Sequence, residues 1–137
     1  MPSLSIFDIA GSGMSAQTVR LNTTASNLAN ADSISSSVGS TYRARHPVFR
    51  AMLDDARGDG SARGVSIAGI VESNAPARSR HEPANPLADA NGYIHMPNVN
   101  VVEEMANMIS ASRSYQANVE MLNTSKQLML RTLALGE

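Results

Sequence analysis

The sequence predicts a mainly α fold, in which long N- and C-terminal helices form a coiled-coil-like stalk carrying a small, irregular, β-rich middle segment. Three observations predict it. In both terminal segments apolar residues recur at alternating steps of three and four, the spacing of a single helix face. Between them the rhythm breaks into Ser, Gly and Pro. Only five of the 137 residues are aromatic, so the large rings that supply much of a rounded core are scarce. The apolar content is mostly Ala, Val, Leu, Ile and eight Met, which suits helix seams. On this pattern the chain divides into an N-terminal helix over 1–31, a partly β middle over 32–96 and a long C-terminal helix over 97–137.

The first helix is expected from about Ser3 to Asn30. Ser5 followed by Asp8 offers a start, since a Ser oxygen caps free amides and an acid suits the first turn. Phe7, Ala10, Met14, Leu21 and Leu28 form a narrow apolar stripe. Gly11 and Gly13 oppose the helix, each by about 0.5–1 kcal/mol relative to Ala. The middle begins with a Ser-rich loop over 32–40. Tyr42 to Phe49 reads as extended, and Pro47 bars it from a central strand. Residues 54–64 read as a Gly- and charge-rich loop. Val65, Ile67, Gly69 and Val71 alternate as a strand does. Pro76, Pro83 and Pro86 mark irregular chain, and Asn91-Gly92 predicts a turn before Tyr93–Met96. Asn100 with Glu103 then predicts the start of the last helix. Its seam runs through Met105, Met108, Ser112, Tyr115, Val119, Leu122, Lys126, Met129 and Leu133, with Gly136 as its terminator. A helix of about 35 residues spans roughly 50 Å, the length of a rod.

Composition excludes several classes of function. The net charge is −1 and there is a single Lys, so there is neither a basic footprint for nucleic acid nor a polybasic membrane patch. No stretch reaches the roughly 18 apolar residues of a membrane span. The N-terminus lacks the charged and apolar regions of a cleaved secretory signal. The chain has no Cys, which removes thiol chemistry and Cys-based zinc sites. His46, His81 and His95 lack metal-ligand spacing. Asp54-Asp55 and Glu103-Glu104 read as solvated or capping acids, no G-x-S-x-G turn occurs, and Arg57-Gly58-Asp59 is a chance match to an adhesion tripeptide. The sequons at Asn22 and Asn123 lie in expected helices. The residues therefore call for no enzyme activity, metal, cofactor or small-molecule substrate.

Two terminal blocks carry a specific likeness. Ala25-Ser26-Asn27-Leu28-Ala29-Asn30-Ala31 resembles the N-terminal signature of the flagellar rod and hook axial proteins. Glu103-Glu104-Met105, Met108-Ile109, Arg113-Ser114-Tyr115-Gln116-Ala117-Asn118-Val119 and Leu122-Asn123 resemble that family's C-terminal helix. Phe7-Asp8-Ile9, Tyr42-Arg43-Ala44-Arg45, Pro47-Val48-Phe49 and Gly92-Tyr93 through Met96-Pro97-Asn98-Val99 point within it to a proximal-rod member. The resemblance implies a structural subunit of the bacterial basal body, exported by the flagellar type III apparatus and assembled in the periplasm into a torque-transmitting shaft. Implied partners are other rod proteins, further copies of itself and an adaptor linking the rod to the membrane ring. The expected assembly interface comprises Phe7, Met14, Leu21, Asn27, Leu28 and Asn30 on the first helix. On the last it comprises Met105, Met108, Tyr115, Val119, Leu122, Met129 and Leu133. The alternative is a non-polymerising coiled-coil adaptor or chaperone of a secretion system, which would be absent from purified basal bodies.

Overall fold

The computed structural model describes residues 2–53 and 62–134. Helix α1 spans Pro2–Ala29 and helix α2 spans Val101–Ala134. Between them lie strands β1 (Arg45–Leu53), β2 (Ala62–Glu72), β3 (Arg78–His81) and β4 (Tyr93–Met96), with a 3-10 turn at Val38–Ser40. β1 pairs antiparallel with β2, and β3 with β4. The helix pair is antiparallel: Asn27, Arg20 and Gly13 of α1 meet Glu104, Asn107 and Asn118 of α2 in turn.

The expected coiled-coil-like stalk with a small β-rich middle segment is overturned. Strand makes up 23% of the structure against 51% helix, too much for an appendage. The β1–β2 ribbon lies along α1. At one end the Asn27 side chain bonds the backbone of Arg45. At the other, the Val65 N–H donates to Ser12 Oγ at 3.1 Å, and Gly64 lies against Ser12 and Ile9. An 11-residue strand extends about 36 Å, close to the roughly 42 Å of a 28-residue helix. α1 is thus a central element with α2 and the ribbon packed on it. Step counting finds an apolar stripe but carries no information about a ribbon that lies beside it.

Local chemistry explains the elements. α1 opens at Pro2, earlier than the expected Ser5 start, because proline's fixed φ and missing N–H suit the first helical position. Asn100 caps α2, its Oδ1 accepting from the N–H of Val102 at 3.2 Å and of Glu103 at 3.5 Å. Pro47 sits inside β1 opposite Ile70. It is tolerated because both strands of a two-stranded ribbon are edges. Gly92 takes φ +79° at the turn into β4, the left-handed region where glycine is favoured. Of the expected charge-rich loop, residues 54–61 lie outside the described residues, with Asp54-Asp55 and Arg57-Gly58-Asp59, as does Gly136. Residues 62–64 belong to β2.

Among the described residues the buried set is small and partly polar, and includes Ala10, Ala16, Thr23, Thr24, Asn27 and Ala31 on or just after α1, Glu104 and Ala111 on α2, and Thr41, Ala44, Ile94 and Val99 between the helices. Ala31, Ala44 and Val99 cluster with Tyr42 where the segments converge. Small residues let three elements approach closely. A Cβ at Gly13 would stand 2.9 Å from Asn118 Nδ2, whereas one at Gly11 would meet nothing within 4 Å. Gly11→Ala is therefore expected to gain about 0.5–1 kcal/mol from helix propensity. Gly13→Ala is expected to gain clearly less or to lose stability, since Asn118 must shift. Urea unfolding of the two single variants against the parent measures the difference.

Candidate assembly surface

The junction that positions the two helices centres on Asn27, which has no solvent exposure. Its Nδ2 donates to the carbonyl of Arg45 at 2.8 Å and to Glu104 Oε2 at 3.0 Å. Its Oδ1 accepts from Tyr42 Oη–H and from the Arg45 N–H, each at 2.9 Å. An amide side chain has two donors and two acceptor sites, and all four are occupied. α1, β1 and α2 are thereby held in one register. Asn98 repeats the device: its Oδ1 accepts from the Ala44 N–H at 2.8 Å and its Nδ2 donates to the carbonyl of Ala75 at 2.8 Å. Arg78 donates to the carbonyls of Pro97 and Ala31, tying β3 to both helix ends.

The expected interface residues fall into distinct environments. Asn27 is buried inside the subunit. Asn30 is half-buried and its Nδ2 closes the end of its own helix on the carbonyl of Ser26. Phe7, Met14, Leu21 and Leu28 are half-buried, as are Met108, Val119, Leu122 and Met129. Met105, Tyr115 and Leu133 are exposed. The line of α1 against α2 runs through Gly13, Arg20 and Asn27, one position before the stripe Met14, Leu21, Leu28. The larger apolar side chains therefore flank the closest contact.

α2 leaves much more apolar surface open than the seam predicted. Val102, Met105, Ile109, Met121, Leu128, Leu130 and Leu133 are all at least half exposed, from 50% at Met121 to 76% at Val102. Among these, the expected seam contains only Met105 and Leu133. The others sit off the three-four steps, and the signal available was that α2 is apolar on more of its circumference than one partner covers.

A Ser-His-Asp arrangement that the sequence did not signal also forms. Ser79 Oγ lies 3.2 Å from His95 Nδ1, and His95 Nε2 lies 3.4 Å from Asp89 Oδ2. Ser79 is exposed on β3, and among the described residues the lining of two clefts beside α1 and one at the start of α2 does not include Ser79, Asp89 or His95. Asp89 Oδ1 accepts the N–H groups of Tyr93 at 2.9 Å and Asn91 at 2.8 Å, the pattern of a turn-holding aspartate. The set pins the β3–β4 turn. The Tyr93 N–H is the main cause holding the Asp89 carboxyl below the ordinary aspartate range. The Asn91 N–H and His95 act the same way, and desolvation opposes them. Among the described residues no three His, Asp or Glu gather as a metal site, and no helix is long and apolar enough to cross a membrane.

Two terminal helices thus meet at an amide-locked junction, with apolar side chains open along one of them, and both terminal regions match families of known proteins. Residues 7–33 match the family described as flagella basal body rod protein, and residues 90–135 match the family described as flagellar basal body rod FlgEFG protein C-terminal. The chain is 58% identical to flagellar basal-body rod protein FlgC of Salmonella typhimurium and 56% identical to that of Escherichia coli O157:H7, over 137 residues and the whole of each chain. It is 33% identical to the Borreliella burgdorferi protein of the same name over 149 residues, covering 98% of each. The chain belongs to the FlgC family of flagellar basal-body rod proteins.

Two outcomes follow from the junction. Asn27→Ala is expected to destabilise the protein by about 2–4 kcal/mol, because it strands the buried Glu104 carboxylate and part-buried groups of Arg45 and Tyr42, and a buried group left unmet costs about 1–3 kcal/mol; chemical unfolding reads it. Asp89 has a depressed carboxyl pKa, so its ionised form adds stability above the unfolded value, and that contribution fades as pH falls through the folded one. Asp89→Asn should therefore lower the unfolding midpoint near neutral pH and flatten its fall on the acid side.

Proposed function

We propose that this structural subunit of the flagellar basal-body rod polymerises through its terminal helices into the torque-transmitting periplasmic shaft. Its partners in this reading are other rod proteins, further copies of itself and the adaptor joining the rod base to the membrane ring. The flagellar type III apparatus would export it without a cleaved signal peptide. The observation that carries the reading is the open apolar surface of α2. Soluble monomers seldom expose contiguous apolar patches of more than a few hundred Å². Here seven large side chains of one helix stand at least half exposed in a subunit whose α2 buries only Glu104 and Ala111. Burial of such surface at about 25 cal/mol per Å² supplies the driving force for lateral assembly. The expected interface residues Phe7, Met14, Leu21, Leu28, Met108, Val119, Leu122 and Met129 are each half-buried in the single subunit and would be completed by a neighbour. Asn27 and Asn30 act within the subunit, holding α1 in register. The family membership supports the same role, and nothing specific favours a non-polymerising adaptor or chaperone.

Leu128 is 59% exposed, so a charge there costs the monomer little, as surface changes generally stay within about 0.5 kcal/mol. Leu128→Asp is expected to leave unfolding of the isolated chain unchanged while abolishing swimming and rod completion in cells that still export it. Normal rods in basal bodies from that strain would show that this face of α2 is not an assembly surface.

A further inference from the structure

Arg20 stands at the middle of α1, half-buried, on the line that faces α2. Its Nη2 donates to Asn107 Oδ1 at 2.8 Å. Among the described residues no carboxylate lies within ion-pair distance of it; the acids beside other cations serve Arg45, Arg80 and His95. A guanidinium offers five N–H donors in a planar fork suited to a carboxylate, and a partly desolvated cation gains most from an anion brought to it. Arg20 opens into a cleft of about 310 Å³ formed with Thr24 of α1, Asn107 of α2 and His46, Pro47 and Phe49 of β1. Arg45 also borders it, but its guanidinium is engaged by Glu72 at 3.1 Å. A hydroxyl, an amide and an imidazole thus surround one cation that has no counter-charge of its own.

Among the described acids outside the first turn of α2, the carboxylates of Asp8, Asp32 and Glu120 have no hydrogen bond or ion pair, and of these Glu120 is the one on α2, the helix with the open apolar side chains. Glu103 and Glu104 sit in the first turn of α2, where negative charge is favourable, and Glu104 accepts from Asn27. Glu120 is mid-helix and exposed, away from either dipole end. Its neighbours at three and four residues are Gln116, Ala117, Asn123 and Thr124, none of them a cation able to pair along the helix. It adjoins Met121, one of the open apolar side chains.

We propose that the Glu120 carboxylate of a second copy of this chain docks on Arg20. This rests on the assembly reading above and specifies a contact within it. Asn107 marks the level of Arg20 on α2, and 13 residues of helix separate it from Glu120, about 20 Å at 1.5 Å per residue. Donor and acceptor therefore occupy different heights on one subunit. The contact is heterologous, staggers adjoining copies by about 20 Å along the helix axis, and leaves each copy's remaining half of the pair free for the next, as a growing shaft needs. The apolar surface supplies the attraction, and the ion pair selects the stagger.

The absence of cysteine allows a direct test. Cells making both Arg20→Cys and Glu120→Cys variants alongside the parent chain are expected to yield basal bodies in which mild oxidation gives a disulfide-linked dimer, absent with either variant alone. Glu120→Arg, which disturbs no contact within the subunit, is expected to lower incorporation into rods by about tenfold or more. Glu120→Gln should give a smaller loss, and Arg20→Glu added to Glu120→Arg should restore incorporation. Thermal unfolding of Glu120→Arg equal to the parent separates assembly from folding. Normal incorporation of Glu120→Arg, a double variant no better than the single, or no dimer from rods that contain both Cys variants overturns the proposal. A defect in Arg20→Gln with none in Glu120→Arg assigns the docked carboxylate to a different rod subunit and also overturns it. None of these outcomes bears on Leu128→Asp, so the rod role stands or falls separately.

Discussion

The buried amide of Asn27 is the interaction on which the arrangement of this subunit depends. It bonds α1 to both β1 and α2, and it does so with every donor and acceptor in use. A polar group with no solvent exposure is tolerable only when satisfied to that extent. The same requirement makes it selective. Sliding either helix or the ribbon by one residue would break several bonds at once and leave the buried Asn27 amide and Glu104 carboxylate unmet. Asn98 and Arg78 extend the constraint to the end of β2 and the start of β3, so the segments between the helices are tied to the point where the helices meet.

That constraint comes with close approach. Around Asn27 the interior is built from Ala, Thr and Gly, which let α2 and the ribbon lie against α1 without large side chains between them. The consequence is that Val102, Met105, Ile109, Leu128 and Leu130 are not spent on the subunit's own core. A chain of 137 residues with so little large apolar material inside it is modestly stabilised alone. In the assembly reading the same economy leaves exposed apolar side chains for neighbours, so internal register and external contact are divided between polar and apolar residues.

Much of the architecture was legible one segment at a time. The three-four steps from Phe7 to Leu28 and from Met105 to Leu133 marked both helices. The alternation of Val65, Ile67, Gly69 and Val71 marked β2, Asn91-Gly92 marked the turn into β4, and Asn100 capped α2 as expected. The failures share a cause. The apolar stripe of α1 was read as its contact line, but the closest approach runs one residue earlier, through Gly13, Arg20 and Asn27, because packing against two neighbours at short range favours small residues over apolar ones. The open residues of α2 lay off the counted seam. Ser79, His95 and Asp89 meet because β3 and β4 pair across a turn, which no spacing rule anticipates.

The sequence by itself determined that the two terminal helices, the extended start of β1, most of β2 and the turn into β4 form, and which family the chain resembles, while it read β3 as irregular chain and the first residues of β2 as loop. Those properties arise from propensities, caps and periodicities that act within a few residues. Only the tertiary structure decided that the ribbon lies along α1 instead of forming a knob on a stalk, which face of α1 is buried and which of α2 stays open. Each of those rests on pairings between distant positions. Asn27 alone joins partners 15, 18 and 77 residues away, and such bonds exist only once the chain has brought their groups together and removed the water between them.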